Sequence, residues 1–513
     1  MNYGNVHSGL RVHAKNKPNE IAVVYGNESL TFRELYHRVS VLANALLDMG
    51  VEKGDHIAIY MRNRLEMVEI LYAISVSGAV AVPINYMVEG RNLSELVNKS
   101  DVKYMFVEIE QLQKFEQTME QFNEISPTAT IVIGSQSDKP FVQYEELIKS
   151  YSNIEPQVEV NSNDLFAILF SSGTTSSPKG SMITHGKQIY RTIRSAVFWD
   201  ITIKDTMLIT VPIYHSTGFI LVFRTCILGS KIVITRDFNP EKTLQVIEDQ
   251  QISQSFFVPT QYSRMLQVSS FDQYNLSSLK LLLSAGAPAS KELKIQIVNK
   301  FKCDFLEFFG STEAGTYIML QPDKVLEKAS SIGQQISDME VRLIDEDGND
   351  VKVGEGGEFA IRGPIMFDGY YKLPEEMEKS FITDGWFRTG DMGKMDDDGF
   401  YYLLDRKKDM IISGGVNVYP KDIEQVINLH DAVLESAVVG TPDHNWGEVP
   451  MAYVVLKKGR EISEQEIIEY CNQNLAKYQQ IKKLDFLPSL PRNPSGKILK
   501  YELRRSPEIN VKY

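Results

Sequence analysis

The chain has 513 residues and a formal net charge of −13, and 43% of its residues are hydrophobic and 24% charged. These values are typical of a globular protein of about three domains, and the acidic balance argues against a broad nucleic-acid surface, which needs clustered basic residues. The three cysteines lie far apart with no C-x-x-C pair, which argues against a disulfide framework and a zinc cluster, so we expect a reduced, cytoplasmic location.

The first 110 residues alternate strand-like and helix-like patterns. Ile21–Tyr25 is typical of a short strand, and Thr31 with Glu34 forms a T-x-x-E capping box ahead of a helix. A further buried strand is predicted over Asp164–Phe170. The polar N-terminus predicts no secretory signal, and no apolar run is long and unbroken enough to span a bilayer. Strands that alternate with helices favour a largely parallel, doubly wound sheet.

The pattern changes after about residue 330. Residues 341–402 carry hairpin signals such as the Asp347-Gly348 turn, and the last hundred residues return to a mixture of helix and strand. Ser463 and Glu466 form a second capping box there. We therefore predict an α/β protein with a large N-terminal domain of doubly wound sheets, a β-rich subdomain and a small α+β C-terminal domain.

The strongest local signal is a loop rich in hydroxyl groups and glycine, directly after the Asp164–Phe170 strand. It runs S-S-G-T-T-S-S-P-K-G over residues 171–180. Such a loop can surround a polyphosphate with hydroxyl and backbone N–H donors. Lys179 precedes its glycine, so the loop is not a Walker A motif. A plain surface loop is the alternative interpretation.

Four further segments are ambiguous when each is taken singly. Phe309–Glu313 places a hydroxyl beside a carboxylate, a pair that could hold Mg²⁺. Phe387–Asp391 offers a carboxylate for two ribose hydroxyls, and a turn with a salt bridge is the simpler alternative. His215 and Lys497 would by default be a packed histidine and a solvated lysine.

The order and spacing of these motifs together indicate a family. In chain order the motifs are the loop at 171–180, PxYHxxG, SAGAP, FGSTE, FRTGD, DRKKDMIISGG and PRNPSGKIL. This set resembles the adenylate-forming superfamily, which contains acyl-CoA synthetases, firefly luciferase and the adenylation domains of peptide synthetases. The resemblance extends from Leu30 to Lys500 and departs from the usual pattern at three positions, Ser176, Ser181 and Asp405.

Members of this superfamily catalyse two half-reactions. A carboxylate attacks the α-phosphate of ATP to give an acyl-adenylate and pyrophosphate, and a thiol then displaces AMP. The resemblance therefore implies an AMP-forming acyl-CoA ligase that uses ATP, Mg²⁺ and CoA. It also implies a small-molecule carboxylic acid as substrate. Charge and hydropathy predict no nucleic-acid partner and no transmembrane segment, and the sequence leaves the choice between a monomer and a homodimer open.

The resemblance implies nucleotide-binding roles for particular residues. The predicted ATP- and AMP-binding residues are Ser171, Ser172, Gly173, Thr174, Thr175, Lys179, Gly286, Ala287, Pro288, Phe309, Gly310, Ser311, Asp391 and Arg406. Within this set the loop residues and Lys179 would hold the β- and γ-phosphates. Phe309 would stack on adenine, with the 286–288 turn on its other face. Asp391 would bind the ribose hydroxyls, assisted by Arg406.

The resemblance also implies the catalytic residues. Glu313 would bind Mg²⁺ and Thr312 would contact the α-phosphate. Lys497 would bridge the substrate carboxylate and the α-phosphate, a task that suits a point charge on a flexible stem. His215 resembles the gate of the acyl pocket.

The same resemblance implies a division into domains. The expected boundaries are residues 1–405 for an N-terminal AMP-binding domain, with its β-rich subdomain at about 330–405, residues 406–408 for a hinge, and residues 409–513 for a mobile C-terminal lid. Lys408 matches the pivot of the hinge. Ser413, Gly414 and Gly415 would line the tunnel of the CoA thiol, where glycine permits close approach.

The stretches expected around the acyl pocket favour an apolar acid. Residues 256–261, 284–287 and 308–318 are apolar or aromatic with small residues, and none of these stretches contains an arginine for a second carboxylate. Tyr214–Ser216 lacks the aspartate of amino-acid-activating domains, and no carrier-protein motif is expected after Lys500. We expect a medium- or long-chain fatty acid. The alternatives are an aryl acid, transfer to a carrier protein, a luciferase-like oxidation, and a non-catalytic sensor of adenylates.

Overall fold

The protein is described by a computed structural model that covers residues 4–134, 140–170, 178–287, 289–413, 416–443, 446–476, 479–492 and 498–504. It divides into two compact units. The first unit is Met1–Ala329 with Gly363–Lys379, and the second is Ser330–Arg362 with Ser380–Tyr513. The hinge predicted at residues 406–408 lies inside the second unit and stays a prediction.

The first unit contains fifteen strands and twelve α-helices among its described residues. Its strands are β1 (Ile21–Tyr25), β2 (Glu28–Thr31), β3 (His56–Tyr60), β4 (Val80–Ile84), β5 (Val102–Glu108), β6 (Thr130–Ile133), β7 (Val142–Gln143), β8 (Leu165–Phe170), β9 (Gly180–Thr184), β10 (Thr206–Ile209), β11 (Lys231–Ile234), β12 (Gln254–Phe257), β13 (Leu281–Ser284), β14 (Asp304–Ser311) and β15 (Gly315–Leu320). Its helices are α1 (Ser8–Asn16), α2 (Phe32–Asp48), α3 (Leu65–Val76), α4 (Gly90–Lys99), α5 (Leu112–Thr118), α6 (Tyr144–Ser150), α7 (His185–Phe198), α8 (Ser216–Leu228), α9 (Pro240–Asp249), α10 (Pro259–Leu266), α11 (Lys291–Phe301) and α12 (Pro374–Ser380).

Two mixed sheets form this unit. One has the order β15-β14-β13-β12-β10-β11-β1-β2, and the other has the order β7-β6-β5-β3-β4-β8-β9. The inner strands of both sheets pair in parallel, whereas β2, β9 and β15 pair with their neighbours in antiparallel fashion. Every residue of β3 and β4 is buried, as expected for parallel strands that are covered on both faces. The predicted strand–helix alternation is confirmed.

The second unit is β-rich at first and α+β at its end. Its strands are β16 (Gln334–Gln335), β17 (Glu340–Ile344), β18 (Gly357–Arg362), β19 (Phe381–Ile382), β20 (Trp386–Met395), β21 (Tyr401–Arg406), β22 (Ile411–Ser413), β23 (Val416–Val418), β24 (Val433–Asp443), β25 (Gly447–Leu456) and β26 (Lys483–Phe486), and its helices are α13 (Pro420–Asn428), α14 (Glu464–Asn474) and α15 (Lys500–Arg504). One antiparallel sheet joins β17, β18, β20, β19 and β21, and a second sheet has the order β23-β22-β25-β24 with β26 beside β25. The predicted α/β class, with a β-rich subdomain and an α+β C-terminal domain, is confirmed.

Local sequence accounts for several of these elements. The Thr31 side chain accepts the N–H of Glu34 and the Glu34 carboxylate accepts the N–H of Thr31, which starts α2; Ser463 and Glu466 do the same for α14. Such a cap contributes about 1 kcal/mol. In the described part of the chain, no helix combines the length and the apolar character needed to cross a membrane.

Candidate functional site

Several polar atoms without a hydrogen-bond partner among the described residues lie at one edge of the sheet that contains β10 and β13. Thr210 directly follows β10 and Ser284 ends β13, so both lie at the carboxyl ends of parallel strands. Their hydroxyl oxygens, and Nε2 of His215, are buried without a hydrogen-bond partner among the residues that the structure describes. Open α/β sheets bind ligands at this edge, which makes it the candidate site of the first unit.

The predicted Phe309–Glu313 motif lies at this edge, on the end of β14 and in the turn to β15. Gly310 pairs with Thr316 across the hairpin, and a Cβ at Gly310 would lie 2.1 Å from the carbonyl oxygen of Gly315. Gly315 itself has a φ of +63°, a conformation that glycine adopts without strain. Glycine at both positions allows the tight turn that carries Thr312 and Glu313.

A buried arginine that the sequence analysis did not single out fixes this turn. Arg191, on α7, donates from Nε to the carbonyl of Ile365 at 3.0 Å. Its Nη2 donates to the carbonyls of Thr312 and Glu313 at 3.3 and 3.2 Å. Burial lowers the pKa of Arg191 to about 10. The guanidinium therefore holds the backbone from which the Thr312 and Glu313 side chains extend.

Tyr370 connects two of the predicted ligand-binding residues. Its hydroxyl donates to Oε1 of Glu313 at 3.1 Å, and Nζ of Lys179 lies 5.0 Å from its ring centroid. Lys179 also pairs with Glu376 at 2.7 Å. One aromatic ring thus separates the lysine predicted to bind phosphate from the glutamate predicted to bind metal. Ser171–Thr175, the other predicted phosphate ligands, lie outside the described residues.

No motif in the sequence pointed to Tyr370. It lies 57 residues beyond Glu313 along the chain and approaches the site because its segment pairs with β9. Met182 and Gly369 share a backbone hydrogen bond of 2.9 Å, and Tyr371 donates to the carbonyl of Gly180 at 2.9 Å. The pKa of the Tyr370 hydroxyl is raised by burial and by the neighbouring Glu313 carboxylate, so the hydroxyl is the donor of this hydrogen bond.

His215 is the N-cap residue of α8, and the next residue, Ser216, contacts Thr312. The His215 ring contacts the ring of Tyr214, with centroids 4.4 Å apart, and Oγ1 of Thr312 donates to the hydroxyl of Ser216 at 3.3 Å. Burial lowers the pKa of His215 to about 4, so the imidazole is neutral near pH 7. A neutral aromatic ring at the start of α8 suits the predicted gate better than an acid or base.

Buried histidines make the stability of the first unit depend on pH. Burial lowers the pKa of His7 to about 3 and the pKa values of His185 and His215 to about 4, all from 6.5. Below pH 6.5 the unfolded chain binds protons that the folded chain does not, so stability falls as the pH falls from 6.5 towards 4.

Each of these three histidines should lower the free energy of unfolding by about 2 kcal/mol when the pH is changed from 7 to 5. Urea unfolding at a series of pH values measures the loss. The His215→Phe variant keeps an aromatic ring at this position and should lose less stability than the parent chain between pH 7 and pH 5. An identical pH dependence in the two proteins would contradict the assignment of a neutral His215.

The turn after β13 carries the residues predicted to cover adenine. Gly286 has a φ of +87°, which permits the turn at Ala287, whereas Pro288 lies outside the described residues. The N–H of Ala289 donates to Oε1 of Glu307 at 2.7 Å. The predicted adenine-stacking residue, Phe309, is partly buried and its ring meets Tyr317 edge-on at 5.4 Å.

A buried ion pair includes the Glu307 carboxylate that accepts the N–H of Ala289 in the turn after β13. Lys294 on α11 and Glu307 on β14 lie 2.6 Å apart with side chains 1% and 2% exposed. Lys294→Met should lower the free energy of unfolding by about 3–5 kcal/mol, because it leaves the Glu307 carboxylate buried without its cation.

Lys300→Met is the matched control for this prediction. Lys300 lies on the same helix and pairs with Asp272 at the exposed surface, so its loss should cost no more than about 1 kcal/mol. Urea unfolding of both variants measures the difference, and equal losses would contradict the prediction.

In the second unit, the predicted ribose ligand and its partner lie opposite each other. Asp391 on β20 and Arg406 on β21 are cross-strand neighbours, and their side chains form an ion pair of 2.6 Å. Lys408 follows the strand and burial lowers its pKa. Ser413 ends β22 and is buried, whereas Gly414, Gly415 and Lys497 lie outside the described residues.

Asp405, one of the three departures from the family pattern, has a structural role in the second unit. Its Oδ2 accepts the backbone N–H of Lys421 in the first turn of α13, where a carboxylate is favourable. Nζ of Lys500 lies 3.8 Å from the same oxygen and 2.8 Å from Oε1 of Glu424. Asp405 therefore links β21 to both α13 and α15.

Comparison with known proteins assigns the chain to a family. The family model "AMP-binding enzyme" matches residues 10–371, and the model "AMP-binding enzyme C-terminal domain" matches residues 422–497. A 2-succinylbenzoate–CoA ligase of Bacillus licheniformis is 32% identical over 96% of this chain and 98% of that protein. The long-chain-fatty-acid–CoA ligase FadD13 of Mycobacterium tuberculosis is 34% identical over 95% of this chain and 96% of that protein.

A solved structure agrees with these sequence relatives. The o-succinylbenzoate CoA synthetase MenE of Bacillus subtilis, in complex with its acyl-adenylate intermediate, has a TM-score of 0.86 and 30% identity, with 97% of each chain covered. The family models span most of the chain, and the relatives align with nearly all of it. The chain belongs to the AMP-binding enzyme family and is an AMP-forming acyl-CoA ligase of the adenylate-forming superfamily.

Proposed function

We propose that this enzyme adenylates a carboxylic acid with ATP and Mg²⁺, releases pyrophosphate, and then transfers the acyl group to CoA. The observation that supports this most directly is the cluster of Lys179, Tyr370 and Glu313 at the carboxyl edge of the parallel strands. Adenylation brings two anions together, so the site has to supply cations and hydrogen-bond donors where charge develops. This cluster provides a lysine and a carboxylate that can hold a metal ion.

The residues present fit a magnesium ion. Mg²⁺ in nucleotide sites is commonly held by one or two carboxylates together with phosphate oxygens and water. Tyr370 donates to Oε1 of Glu313, and Oε2 makes no hydrogen bond within the described ranges. When bound, Mg²⁺ neutralises the charge on the phosphates. Glu313 would hold it, and Thr312 would contact the α-phosphate.

Lys179 and Asp391 are proposed to hold the two ends of the nucleotide. The pair between Lys179 and Glu376 is partly exposed, so exchanging that carboxylate for a phosphate has a small cost. Asp391 would accept the two ribose hydroxyls while the ion pair with Arg406 keeps the carboxylate oriented. Phe309 and the turn at Gly286 would enclose the adenine ring.

The second half-reaction is proposed to use the C-terminal part of the chain in a second orientation. Residues 406–408 would be the hinge, with Lys408 as the pivot, and residues 409–513 would be the lid. In one orientation the lid would present Lys497 to the α-phosphate. In the other orientation Ser413–Gly415 would border the path of the thiol. This alternation would let one active site serve both steps.

The acid is proposed to have an extended apolar or aromatic body. Trp199 stacks on Phe308 with centroids 5.0 Å apart, and Phe308 meets Phe256 at 5.7 Å. Phe256 lies one residue before the carboxyl end of β12, so this aromatic row begins near the edge of the sheet that carries the candidate site. A medium- or long-chain fatty acid is the first candidate. An aryl acid is the second, favoured by the aromatic row and by the similarity to 2-succinylbenzoate–CoA ligase.

The test is pyrophosphate release with ATP and Mg²⁺ against a panel of acids, each assayed with and without CoA. The panel contains acetate, straight-chain fatty acids, benzoates, cinnamates, dicarboxylates and amino acids. We expect one class to react and CoA consumption to follow it. Pyrophosphate without CoA consumption would favour a carrier protein or an oxidative reaction as the second step. No reaction with any acid, together with tight adenylate binding, would favour the sensor.

A further inference from the structure

An arginine on α8 lies in the interior of the first unit without a matching anion. Arg224 is 1% exposed, and its Nε and Nη2 have no hydrogen-bond partner among the described residues. Its Nη1 makes one long hydrogen bond of 3.4 Å to Oε1 of Gln254. A guanidinium carries five N–H donors in a rigid fork that matches a carboxylate. Arg224 therefore has a bidentate donor pair to offer in a buried place.

The Asp205 carboxylate offsets part of the lowering of the Arg224 pKa by burial but forms no ion pair with Arg224 among the described residues. The Asp205 side chain instead accepts from Lys280 at 2.9 Å and from Ser253 at 2.9 Å. Burial lowers the pKa of Arg224 to about 9, so the guanidinium stays protonated near pH 7. A buried cation whose Nε and Nη2 have no hydrogen-bond partner among the described residues is costly, and a bound anion would relieve that cost.

Arg224 stands at the far end of the aromatic row. Its guanidinium carbon lies 5.0 Å from the ring centroid of Trp199, which stacks on Phe308. Gln254 begins β12, so Arg224 lies about 10 Å from the carboxyl end of that strand, at about 3.3 Å per residue. Along α8, Arg224 is nine residues from His215, or about 13 Å at 1.5 Å per residue. Both paths place Arg224 at similar depth below the candidate site.

We propose that Arg224 binds a second carboxylate at the distal end of the substrate, so that the acid is a dicarboxylic acid with an apolar or aromatic body. The inference rests on the proposed function, because it takes the reacting carboxylate to lie beside Thr312 and His215. The distal carboxylate accepts two N–H bonds from the guanidinium, and the body of the acid lies along Trp199, Phe308 and Phe256. The alternative is that a buried water binds Arg224. A bound carboxylate predicts that the enzyme prefers dicarboxylic acids, whereas a bound water predicts that it does not.

The experiment compares acids that differ only at the distal end. Octanoate is paired with suberate, decanoate with sebacate, and 3-phenylpropionate with its 4-carboxy derivative. Pyrophosphate release gives kcat/KM for each acid with the parent enzyme and with Arg224→Met, Arg224→Lys and Arg264→Met. Arg264 is the matched control, because its guanidinium also stacks on a ring, that of Phe238, at the exposed surface.

We expect the parent enzyme to favour at least one dicarboxylate over its partner by about 100-fold or more, since a site built for a polar group rejects an analogue without it. Arg224→Met should remove that preference by lowering kcat/KM for the dicarboxylate and not for the monocarboxylate. Arg224→Lys should restore part of it, and Arg264→Met should leave it unchanged. A parent enzyme that uses the monocarboxylates equally well or better would overturn the proposal, as would equal losses for both acids in Arg224→Met.

Calorimetric binding of the same acid pairs to the parent enzyme separates this inference from the proposed function. Tight binding of a dicarboxylate without pyrophosphate release would retain the Arg224 site and overturn the adenylation proposal. Turnover of monocarboxylates alone would retain the adenylation proposal and overturn the Arg224 site. The values of kcat/KM for the parent enzyme show whether dicarboxylates are preferred, even if Arg224→Met fails to fold.

Discussion

Replacing Lys497 by alanine should lower the rate of pyrophosphate release on the order of 100- to 1,000-fold, the usual effect of removing one donor that stabilises transition-state charge. Acyl transfer to CoA from a supplied acyl-adenylate should change far less. The reason is that the Lys497 ammonium is proposed to bridge the substrate carboxylate and the α-phosphate only during the first half-reaction. The two half-reactions are measured separately, with ATP and acid in one assay and synthetic acyl-adenylate and CoA in the other.

Lys483→Ala is the control for this prediction, because Lys483 lies at the exposed start of β26 in the same C-terminal part of the chain. It should leave both half-reactions unchanged. Equal losses of both half-reactions in Lys497→Ala would contradict the two-orientation mechanism. Retained ATP binding in that variant would also dispose of the sensor hypothesis, provided that turnover is lost.

Replacing Glu313 by glutamine should lower adenylation on the order of 100-fold and shift its dependence on Mg²⁺ to higher concentration. The amide has nearly the shape of the carboxylate and can still accept the Tyr370 hydroxyl, so the turn should keep its geometry. Only the negative charge that Mg²⁺ prefers is lost. Initial rates over a series of Mg²⁺ concentrations measure the shift, with ATP held in excess.

Tyr370→Phe separates the charge of Glu313 from its orientation. The phenyl ring keeps its contact with Lys179, and only the hydroxyl bond to Glu313 is removed. The Glu313 carboxylate keeps its negative charge in this variant, and that charge is what Mg²⁺ prefers, so we expect a smaller loss of adenylation than in Glu313→Gln. If Glu313→Gln leaves the Mg²⁺ dependence unaltered, Glu313 does not hold the metal.

The proposed role of Arg224 could not have been predicted from the sequence motifs. The stretches expected around the acyl pocket contain no arginine, but α8 was not among them. Arg224 approaches the aromatic row because α8 packs against α7, which Trp199 follows directly. Its neighbours Trp199 and Gln254 are 25 and 30 residues away in the chain. A tertiary contact of this kind has no local pattern that could reveal it.

The sequence by itself determined the fold class and the family. Capping boxes at Thr31 and Ser463 and the alternation of strands with helices depend on residues only a few positions apart, so they can be recognised locally. The ordered motifs identified the superfamily, because each motif is a short run of adjacent residues that can be recognised without knowledge of the fold.

Only the tertiary structure decided which residues support those motifs. Tyr370 reaches Glu313 through the pairing of its segment with β9, Arg191 reaches the same turn from α7, and Asp405 joins α13 and α15. Each contact joins elements that are distant in the chain. Such contacts form when whole sheets and helices bury their apolar faces, and that packing, rather than any local propensity, sets which polar groups meet.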